Sequence, residues 1–440
     1  MKLPTYIKTA MKILSESNYE SYVVGGCVRD TLLGVTPDDW DMCTSALPEQ
    51  VIECFKGRYN VIETGLKHGT VTVIIDGNCV EITTYRSENS YSDGRHPDKV
   101  SFHKDIKYDL SRRDFTINAM AYNDEKGLID PFFGSQDLRL RIVKTVGNPY
   151  QRFNEDSLRI LRALRFASKL NFSICKETSD AIHDLYQNLS NISAERINKE
   201  LQKFIDGKIY NLAQEYADVL CFIIPEFKRC IYQEQGNNHS LDVYKHMMFA
   251  TDCSHKHDIS LALFLHDIGK PKCAITEHGS VHFPVHNKVS ADMTNSIMKR
   301  LKFSNQEIET TCKLIEGHCE KVIDISDYSM KVLLNKYGYD ILQKIIEMQR
   351  CDVCAKLNPC ISIYMDKNRE AQEHLERIIQ SGEPYNIKML DIRGDDITPL
   401  FNVTPGPWVK ETLEFLLDKV MQGRIENKKK SLINYLESVI

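Results

Sequence analysis

Two carboxylates, Asp39 and Asp41, stand either side of Trp40, shortly after a β-branched run that enters Gly25-Gly26 and continues to Arg29 and Asp30. Side chains alternate along an extended chain, so Asp39 and Asp41 point the same way, close enough to share hard divalent cations. The two glycines let the backbone turn sharply and approach a phosphate, and Arg29 falls on the short helix expected after that turn. The chemistry open to such a layout is two-metal phosphoryl transfer. Taken singly, each pattern also describes a surface turn or a pair of solvated acids, so their succession carries the argument.

A second informative stretch is Glu155-Asp-Ser-Leu-Arg-Ile-Leu-Arg-Ala-Leu-Arg165. On a helix, Leu158, Leu161 and Leu164 share a buried face, while Asp156, Arg159 and Arg162 gather at i, i+3 spacing on another side. Ordinary surface ion pairs give the same pattern. The chemical alternative is base recognition. Cytosine and adenine place an amino donor beside a ring-nitrogen acceptor, and uracil and guanine present the reverse. A fixed Arg can donate to that nitrogen while a fixed Asp accepts from the amino group.

A third group lies beyond about residue 235: His239, His246, the adjacent His266-Asp267, His286, His318 and Asp352. Isolated histidines in helices are ordinarily structural, but an adjacent His-Asp followed by Ile-Gly-Lys270 is a stronger pattern. Imidazole with carboxylate suits Mn, Fe, Co, Ni or Mg and disfavours a thiolate site. A metal held there would activate water against a phosphoester.

Together these motifs resemble the nucleotidyltransferase superfamily of the DNA polymerase β type, and within it the bacterial class II CCA-adding tRNA nucleotidyltransferases, which carry a poly(A) polymerase family head. The resemblance implies addition of CMP, CMP and AMP to the tRNA 3′ end from CTP and ATP, with Asp39 and Asp41 holding Mg²⁺. It makes Glu81 the third carboxylate, although an exposed acid on an edge strand fits equally well. Gly25, Gly26 and Arg29 are then assigned to the triphosphate, and Arg113 and Asp114, from Arg112-Arg-Asp-Phe-Thr-Ile-Asn-Ala119, to phosphates and sugar, with Asn118 near the sugar. Asp156 and Arg159 are assigned to the base, Arg162 and Arg165 to phosphate or sugar. Ser193-Ala-Glu-Arg-Ile197 resembles the next element of the family's neck.

The histidine group resembles the HD phosphohydrolase superfamily, with ligands matching His246, His266, Asp267 and Asp352 and further ligands at His286 and His318. A divalent transition metal or Mg²⁺ is implied there. Two alternatives remain within the superfamily, a poly(A) polymerase or an enzyme adding only CC or A. An HD phosphohydrolase with a regulatory nucleotide-binding head is the alternative of another class.

The elements that must position these residues follow from patterning. A helix with Ile7, Ala10, Met11 and Leu14 on one face backs a sheet. Pro48 opens another helix. Val71–Ile75 and Val80–Tyr85, joined through Asp76-Gly77-Asn78, form a hairpin. Residues 86–98 are polar and aperiodic and are expected to form a lid-like loop, and Asp130-Pro-Phe-Phe-Gly134 a closing turn.

The expected fold class is α+β. A polymerase-β-like head of mixed sheet and helices spans residues 1–135, followed by an all-α neck (136–235), an HD-type body (236–375) and a tail (376–440). In the resembled family the tail holds the tRNA elbow, and Lys428, Lys429 and Lys430 are its phosphate-contact candidates. At 440 residues the chain exceeds one core, and its net charge of −5 argues against indiscriminate nucleic-acid binding, so a polyanion needs local basic patches. Lys8, Lys12 and Glu16 interrupt the first apolar segment, which excludes a leader or membrane span there and points to the cytoplasm. The 14 scattered cysteines then read as reduced thiols, and Cys351-x-x-Cys354 as helix packing. No obligate protein partner is evident.

Overall fold

The β-branched runs become strands β1 (Ser21–Val24), β2 (Met42–Thr44), β3 (Asn60–Ile62), β4 (Thr70–Ile75) and β5 (Asn78–Thr84). A separate ribbon pairs β6 (Arg86–Asn89) with β7 (Lys99–Phe102), and β8 (Ala121–Asn123) and β9 (Gly127–Ile129) complete the main sheet. Its order is β3-β4-β5-β2-β1-β8-β9; β2 and β5 run parallel, with Met42 opposite Ile82, and the other neighbours are antiparallel. A computed structural model describes residues 1–63, 65–66, 69–89, 99–236, 240–278, 280–356, 361–401 and 404–439. Residues 90–98 of the expected loop and His239 lie outside the described residues; the loop's first residues form β6.

The hairpin follows its sequence signal. Asp76 and Gly77 have φ of 50° and 78°, the two-residue turn whose twist suits antiparallel strands, and Ile75 faces Asn78. Helix α1 (Thr5–Glu16) buries Ile7, Ala10, Ile13 and Leu14, with Ile13 taking the place expected for Met11. Gly25, at φ +81°, turns the chain from β1 into α2 (Gly26–Leu32). Helix α3 (Pro48–Phe55) begins at Pro48, and α4 (Ile106–Ser111) leads to a 3-10 turn at Thr116–Asn118. Tyr22, Val24, Cys43, Tyr85, Leu110, Ala119 and Ala121 share one core cluster, which fastens that turn to the sheet. Both oxygens of Asp130 accept backbone N–H groups, from Gly134 at 2.7 Å and Ser135 at 2.9 Å, capping α5 (Gly134–Leu140).

The chain forms two compact units, Met1–Ile223 and Ile224–Ile440. The expected head and the expected neck up to residue 223 share the first, and residues 224–235 of that neck fall in the second. Val146 donates a backbone bond to Asp114 O at 3.0 Å, and strand β10 (Ile142–Val143) pairs in parallel with β11 (Ser173–Ile174). Helices α6 (Pro149–Glu155), α7 (Leu158–Leu170), α8 (Lys176–Leu185) and α9 (Ala194–Ile205) complete the frame of the site. Ser193 precedes α9 but makes no side-chain cap bond.

In the second unit, His246 lies on helix Val243–Asp252, His266-Asp267 follows helix His257–Leu265, His286 begins helix His286–Arg300, His318 follows helix Asn305–Gly317, and Asp352 is on helix Tyr339–Cys354. This region is not purely helical as expected, because Ile275–Glu277 and Ser280–His282 form a short hairpin. Two glycines permit the close crossings. A Cβ on Gly269 would meet Ser290 N at 2.6 Å, and one on Gly317 would meet Ile345 Cδ1 at 2.3 Å. The carboxyl-terminal helices bury Leu390, Ile397, Leu416, Leu432 and Leu436 in a cluster of their own. Cys351 and Cys354 are free thiols at the end of helix Tyr339–Cys354, the former buried, in keeping with packing. Among the described residues no helix is long and apolar enough to cross a membrane.

Candidate functional site

Within the first unit, a cavity of about 800 Å³ is lined by Gly26, Arg29, Asp39, Asp41, Arg113, Asp114, Asn118, Asp156, Arg159, Arg162 and Arg165. Asp39 and Asp41 precede β2, and Val24 N donates to Asp41 O at 3.0 Å, so the chain meets β1 just before the glycine turn. Burial raises the Asp41 carboxyl above its ordinary range, Arg113 opposes this, and Asp39 adds to it. A carboxyl of raised proton affinity with a second carboxylate two residues away suits a hard divalent cation, which replaces the proton and takes oxygen ligands.

Glu81 is one strand away at the level of Asp41, by the Met42–Ile82 register. It is exposed, as Asp39 and Asp41 also are, and lies outside the cavity lining, while β5 is an interior strand between β4 and β2 and not the edge strand of the alternative reading.

Around the glycine turn every charge has a holder. A Cβ on Gly25 would sit 2.8 Å from Arg113 Nη1, so the missing side chain is what lets Arg113 lie over the turn. Buried Arg29 donates from Nη1 to Asn118 Oδ1 at 2.7 Å, and Asn118 Nδ2 donates to Asp114 Oδ1 at 3.2 Å. Asn118, expected near the sugar, thus ties Arg29 to Asp114. Asp109 accepts from Arg112 Nε at 2.9 Å and from Arg113 Nη2 at 3.1 Å. Burial works against its charge, but the two guanidinium groups outweigh burial and keep Asp109 below its usual range.

The Glu155–Arg165 stretch departs from a continuous helix. Glu155 ends α6, and α7 begins at Leu158, because Asp156 leaves the helical conformation and its Oδ1 accepts from Leu158 N at 3.1 Å. A short Asp side chain that bonds the backbone two residues on competes with helix continuation. Its Oδ2 accepts from Arg196 Nη2, on α9, at 2.9 Å. Arg159 donates to Glu155 Oε2 at 2.6 Å and to Arg152 O at 3.1 Å. Leu158, Leu161 and Leu164 are buried as expected.

Arg162 and Arg165 line the cavity but are held by acids. Arg162 Nε donates to Asp114 Oδ2 at 2.8 Å, and Arg165 pairs with Glu200 Oε2 at 3.0 Å. Burial works against the Asp114 charge, and Arg162 overcomes it, bringing the carboxyl to about 2. Three guanidinium groups surround the Phe166 ring, with Cζ 4.2 Å from its centroid for Arg165, 5.2 Å for Arg29 and 5.6 Å for Arg162. Phe166 and Glu200 escaped the sequence reading, and Arg196 entered it only as part of the Ser193–Ile197 element, because Arg29 on Phe166, Arg165 on Glu200 and Asp156 on Arg196 are distant along the chain.

Residues 21–144 match the poly A polymerase head domain family, 171–214 the RNA and SrmB-binding site of polymerase A, and 281–436 the tRNA nucleotidyltransferase domain 2. The chain is 31% identical to the CCA-adding enzyme of Bacillus mycoides over 433 residues, covering 97% of this chain and 96% of that one. It is 30% identical to that of Enterococcus faecalis over 438 residues, covering 98% and 96%. The chain belongs to the CCA-adding enzyme family. Its fold is also that of the Bacillus stearothermophilus CCA-adding enzyme solved with CTP, at a TM-score of 0.71 and 26% identity over 100% of this chain and 98% of that one.

This CCA-adding family member carries a second cluster. The expected ligand atoms of His246, His266, Asp267 and Asp352 lie within 4.8 Å of one another, and all four residues are buried. His246 Nε2 is 2.7 Å from Asp352 Oδ1, and His266 Nε2 is 3.1 Å from Asp267 Oδ2 and 3.3 Å from Asp352 Oδ1. His286, His318 and Cys319 form an adjoining group. Asp267 Oδ1 faces it, 3.4 Å from His286 Nε2 and 3.7 Å from His318 Nε2. A thiol is therefore present where a thiolate was disfavoured. The His318-Cys319 adjacency was its signal, lost among 14 scattered cysteines.

His266 Nε2 and both Asp267 oxygens are buried without a hydrogen bond of acceptable geometry, although the Lys270 ammonium lies 2.6 Å from Oδ2. His246 and Asp352 hydrogen-bond each other, while His266 Nε2 and the Asp267 oxygens converge on them with donor capacity left over, which fits a metal shell of imidazole and carboxylate. Burial opposes charge on Asp267, but His266 and Lys270 outweigh it and hold the carboxyl well below its usual range, ready as a ligand. The cluster opens on a cavity of about 690 Å³ lined also by Lys270 and Lys356.

In the carboxyl-terminal helices of this CCA-adding family member, Lys428, Lys429 and Lys430 are exposed. Lys429 Nζ is bound to Asp396 Oδ1 at 2.6 Å and Lys428 lies 2.9 Å from Glu426, which reduces the positive charge the run presents.

Proposed function

We propose that this chain adds C, C and A to the tRNA 3′ end without a nucleic-acid template, consuming CTP and ATP and releasing pyrophosphate. The observation that carries this reading is that Asp39 and Asp41 line the same cavity as Asp156 and Arg159. Divalent ions held by the two acids, Mg²⁺ in this reading, would supply Lewis-acid stabilisation of the attacking 3′-oxygen and of the leaving pyrophosphate. The rest falls to the chain's own groups. Gly26 lets the backbone approach the triphosphate, Arg29 and Arg113 bind it, and Asn118 keeps Arg29 aimed. Asp156 accepts from the amino group of C or A and Arg159 donates to the ring nitrogen; uracil and guanine set a ring N–H against the Arg159 donor and a carbonyl oxygen against the Asp156 acceptor, a costly mismatch. Arg162 and Arg165, pinned by Asp114 and Glu200, present their remaining N–H groups to phosphate or sugar.

Lys428 to Lys430 serve RNA binding in this reading, and its site is the cytoplasm, where the substrates are. The head (1–135), neck, metal-binding body and tail are functional divisions inside the two units. The test uses tRNA ending at its discriminator base, incubated with each nucleoside triphosphate singly and in combination, followed by sequencing of the 3′ ends. Growth of CC with CTP alone and CCA with both supports the reading. A-only tails would favour a poly(A) polymerase.

A second reading is supported by the buried histidine-aspartate cluster: a metal-dependent phosphohydrolase in the same chain, with His246, His266, Asp267 and Asp352 as ligands and Lys270 and Lys356 facing the phosphoester. Opening of a cyclic phosphodiester by water to the phosphomonoester, in a reaction that survives Asp39→Ala and stops in Asp267→Ala, tests it.

A further inference from the structure

We propose that Cys319 is a ligand in a second metal position beside the histidine-aspartate cluster, completing an imidazole, thiolate and carboxylate set with His286, His318 and Asp267. This rests on reading the cluster as a metal centre. The support is geometric. Cys319 Sγ lies 3.4 Å from His286 Nε2 and 3.3 Å from His318 Nε2, and the two imidazole nitrogens are 3.3 Å apart. Asp267 Oδ1 closes the set at 3.4 Å and 3.7 Å from the two nitrogens. For metal–ligand bonds of about 2.0–2.3 Å, the edges of a coordination tetrahedron are about 3.3–3.7 Å. These five spacings match those edges.

The imidazoles are set for ligation. His286 Nδ1 donates to Phe283 O at 2.7 Å and His318 Nδ1 to Ile315 O at 2.6 Å, so in each neutral ring the lone pair is on Nε2, the atom turned inward. Asp267 is the independent observation: its side chain is 1% exposed, and its Oδ1 points into the group without a hydrogen bond. Its other oxygen faces His266, so one carboxylate bridges two positions. On binding, the Cys319 thiol proton leaves to solvent and the sulfur lone pair enters the metal bond. A sulfur ligand selects Zn, Fe or Co over Mg at this position, while the first position stays a nitrogen and oxygen site.

The test is Co²⁺ titration of the chelator-treated full-length protein carrying Asp39→Ala and Asp41→Ala, which removes the cation ligands of the first unit, read by bound ion per chain and by thiolate-to-Co²⁺ charge-transfer absorption in the near ultraviolet. With the second unit in its wild-type form, the protein is expected to take up two ions and show the band. Cys319→Ser and His286→Ala each lose the band and bind the second ion at least tenfold more weakly, whereas His246→Ala keeps the band. Two ions without the band, or a band that persists in Cys319→Ser, overturns the proposal while leaving the metal centre standing. No bound Co²⁺ with the second unit in its wild-type form overturns both.

Discussion

Arg196 Nη2 donates to Asp156 Oδ2 at 2.9 Å across 40 residues of sequence, while Oδ1 of the same carboxylate is bound to Leu158 N. The acid assigned to the base is therefore aimed by α9, an element outside its own segment. Arg196→Ala frees one oxygen and lets the carboxylate rotate. Loss of a charge-assisted bond is worth about 1.5–3 kcal/mol, so kcat/KM for CTP and ATP is expected to fall by about one to two orders of magnitude. UTP and GTP misincorporation should rise relative to CTP, since discrimination depends on a fixed acceptor. Arg196→Lys should restore part of both. Steady-state kinetics with the four triphosphates checks this, and unchanged discrimination with lowered turnover would reduce Arg196 to a structural role.

Asp39→Ala and Asp41→Ala are each expected to abolish nucleotide incorporation while leaving the second unit's metal content at the wild-type level. Glu81 gives the contrast. It lies outside the lining of the cavity that Asp39 and Asp41 share, so Glu81→Gln should retain most of the activity. Single-turnover incorporation of labelled CMP separates the two outcomes, and a Glu81→Gln loss as deep as that of Asp41→Ala would restore the third carboxylate.

What could be read without coordinates was what short-range patterning carries. The Gly25-Gly26 turn, the Asp76-Gly77 hairpin and the buried face of Leu158, Leu161 and Leu164 are each decided by a few adjacent residues, and all appear. The break at Asp156 was misjudged, because helical spacing ignores an Asp side chain that bonds its own backbone. Partners set by tertiary packing were invisible: Arg29 on the Phe166 ring, Glu200 on Arg165, and Arg196 on Asp156. For the metal cluster, chain order supplied the histidines and acids and set Cys319 beside His318, but only the crossing of helices brings that pair to His286 and Asp267.

Gly269→Ala probes that crossing. Its added Cβ would meet Ser290 N at 2.6 Å and Val289 C at 3.0 Å, backbone atoms that cannot rotate away, and Gly269 N also donates to Ser290 Oγ at 3.0 Å. The helix carrying His286 must shift. Overpacking of this kind costs about 1–3 kcal/mol. Urea unfolding should show that loss in the second unit, followed by Trp408 in a Trp40→Phe background, with the expected Co²⁺ stoichiometry reduced. CMP incorporation at saturating tRNA should stay at the wild-type level, and a loss of incorporation instead would show that the displacement reaches the head.

The Asp114–Arg162 pair should make the first unit acid-sensitive in a defined window. Burial opposes the Asp114 charge, but Arg162 lowers the carboxyl from 3.8 to about 2. A carboxyl lowered on folding contributes stability that is fully present above its unfolded value and is lost as pH falls through its folded value. The window therefore runs from about pH 4 down to pH 2, and the contribution at neutral pH is about 2 kcal/mol. Asp109, lowered by Arg112 and Arg113 against its own burial, acts in the same direction. Asp114→Asn removes the titrating group, so the stability gap between wild type and variant should be constant above about pH 5 and shrink below pH 4. The chain has two tryptophans, one in each unit, so Trp40 fluorescence in a Trp408→Phe background reports the first unit alone. A gap that stayed constant down to pH 2 would mean that Asp114 does not draw its charge stabilisation from Arg162.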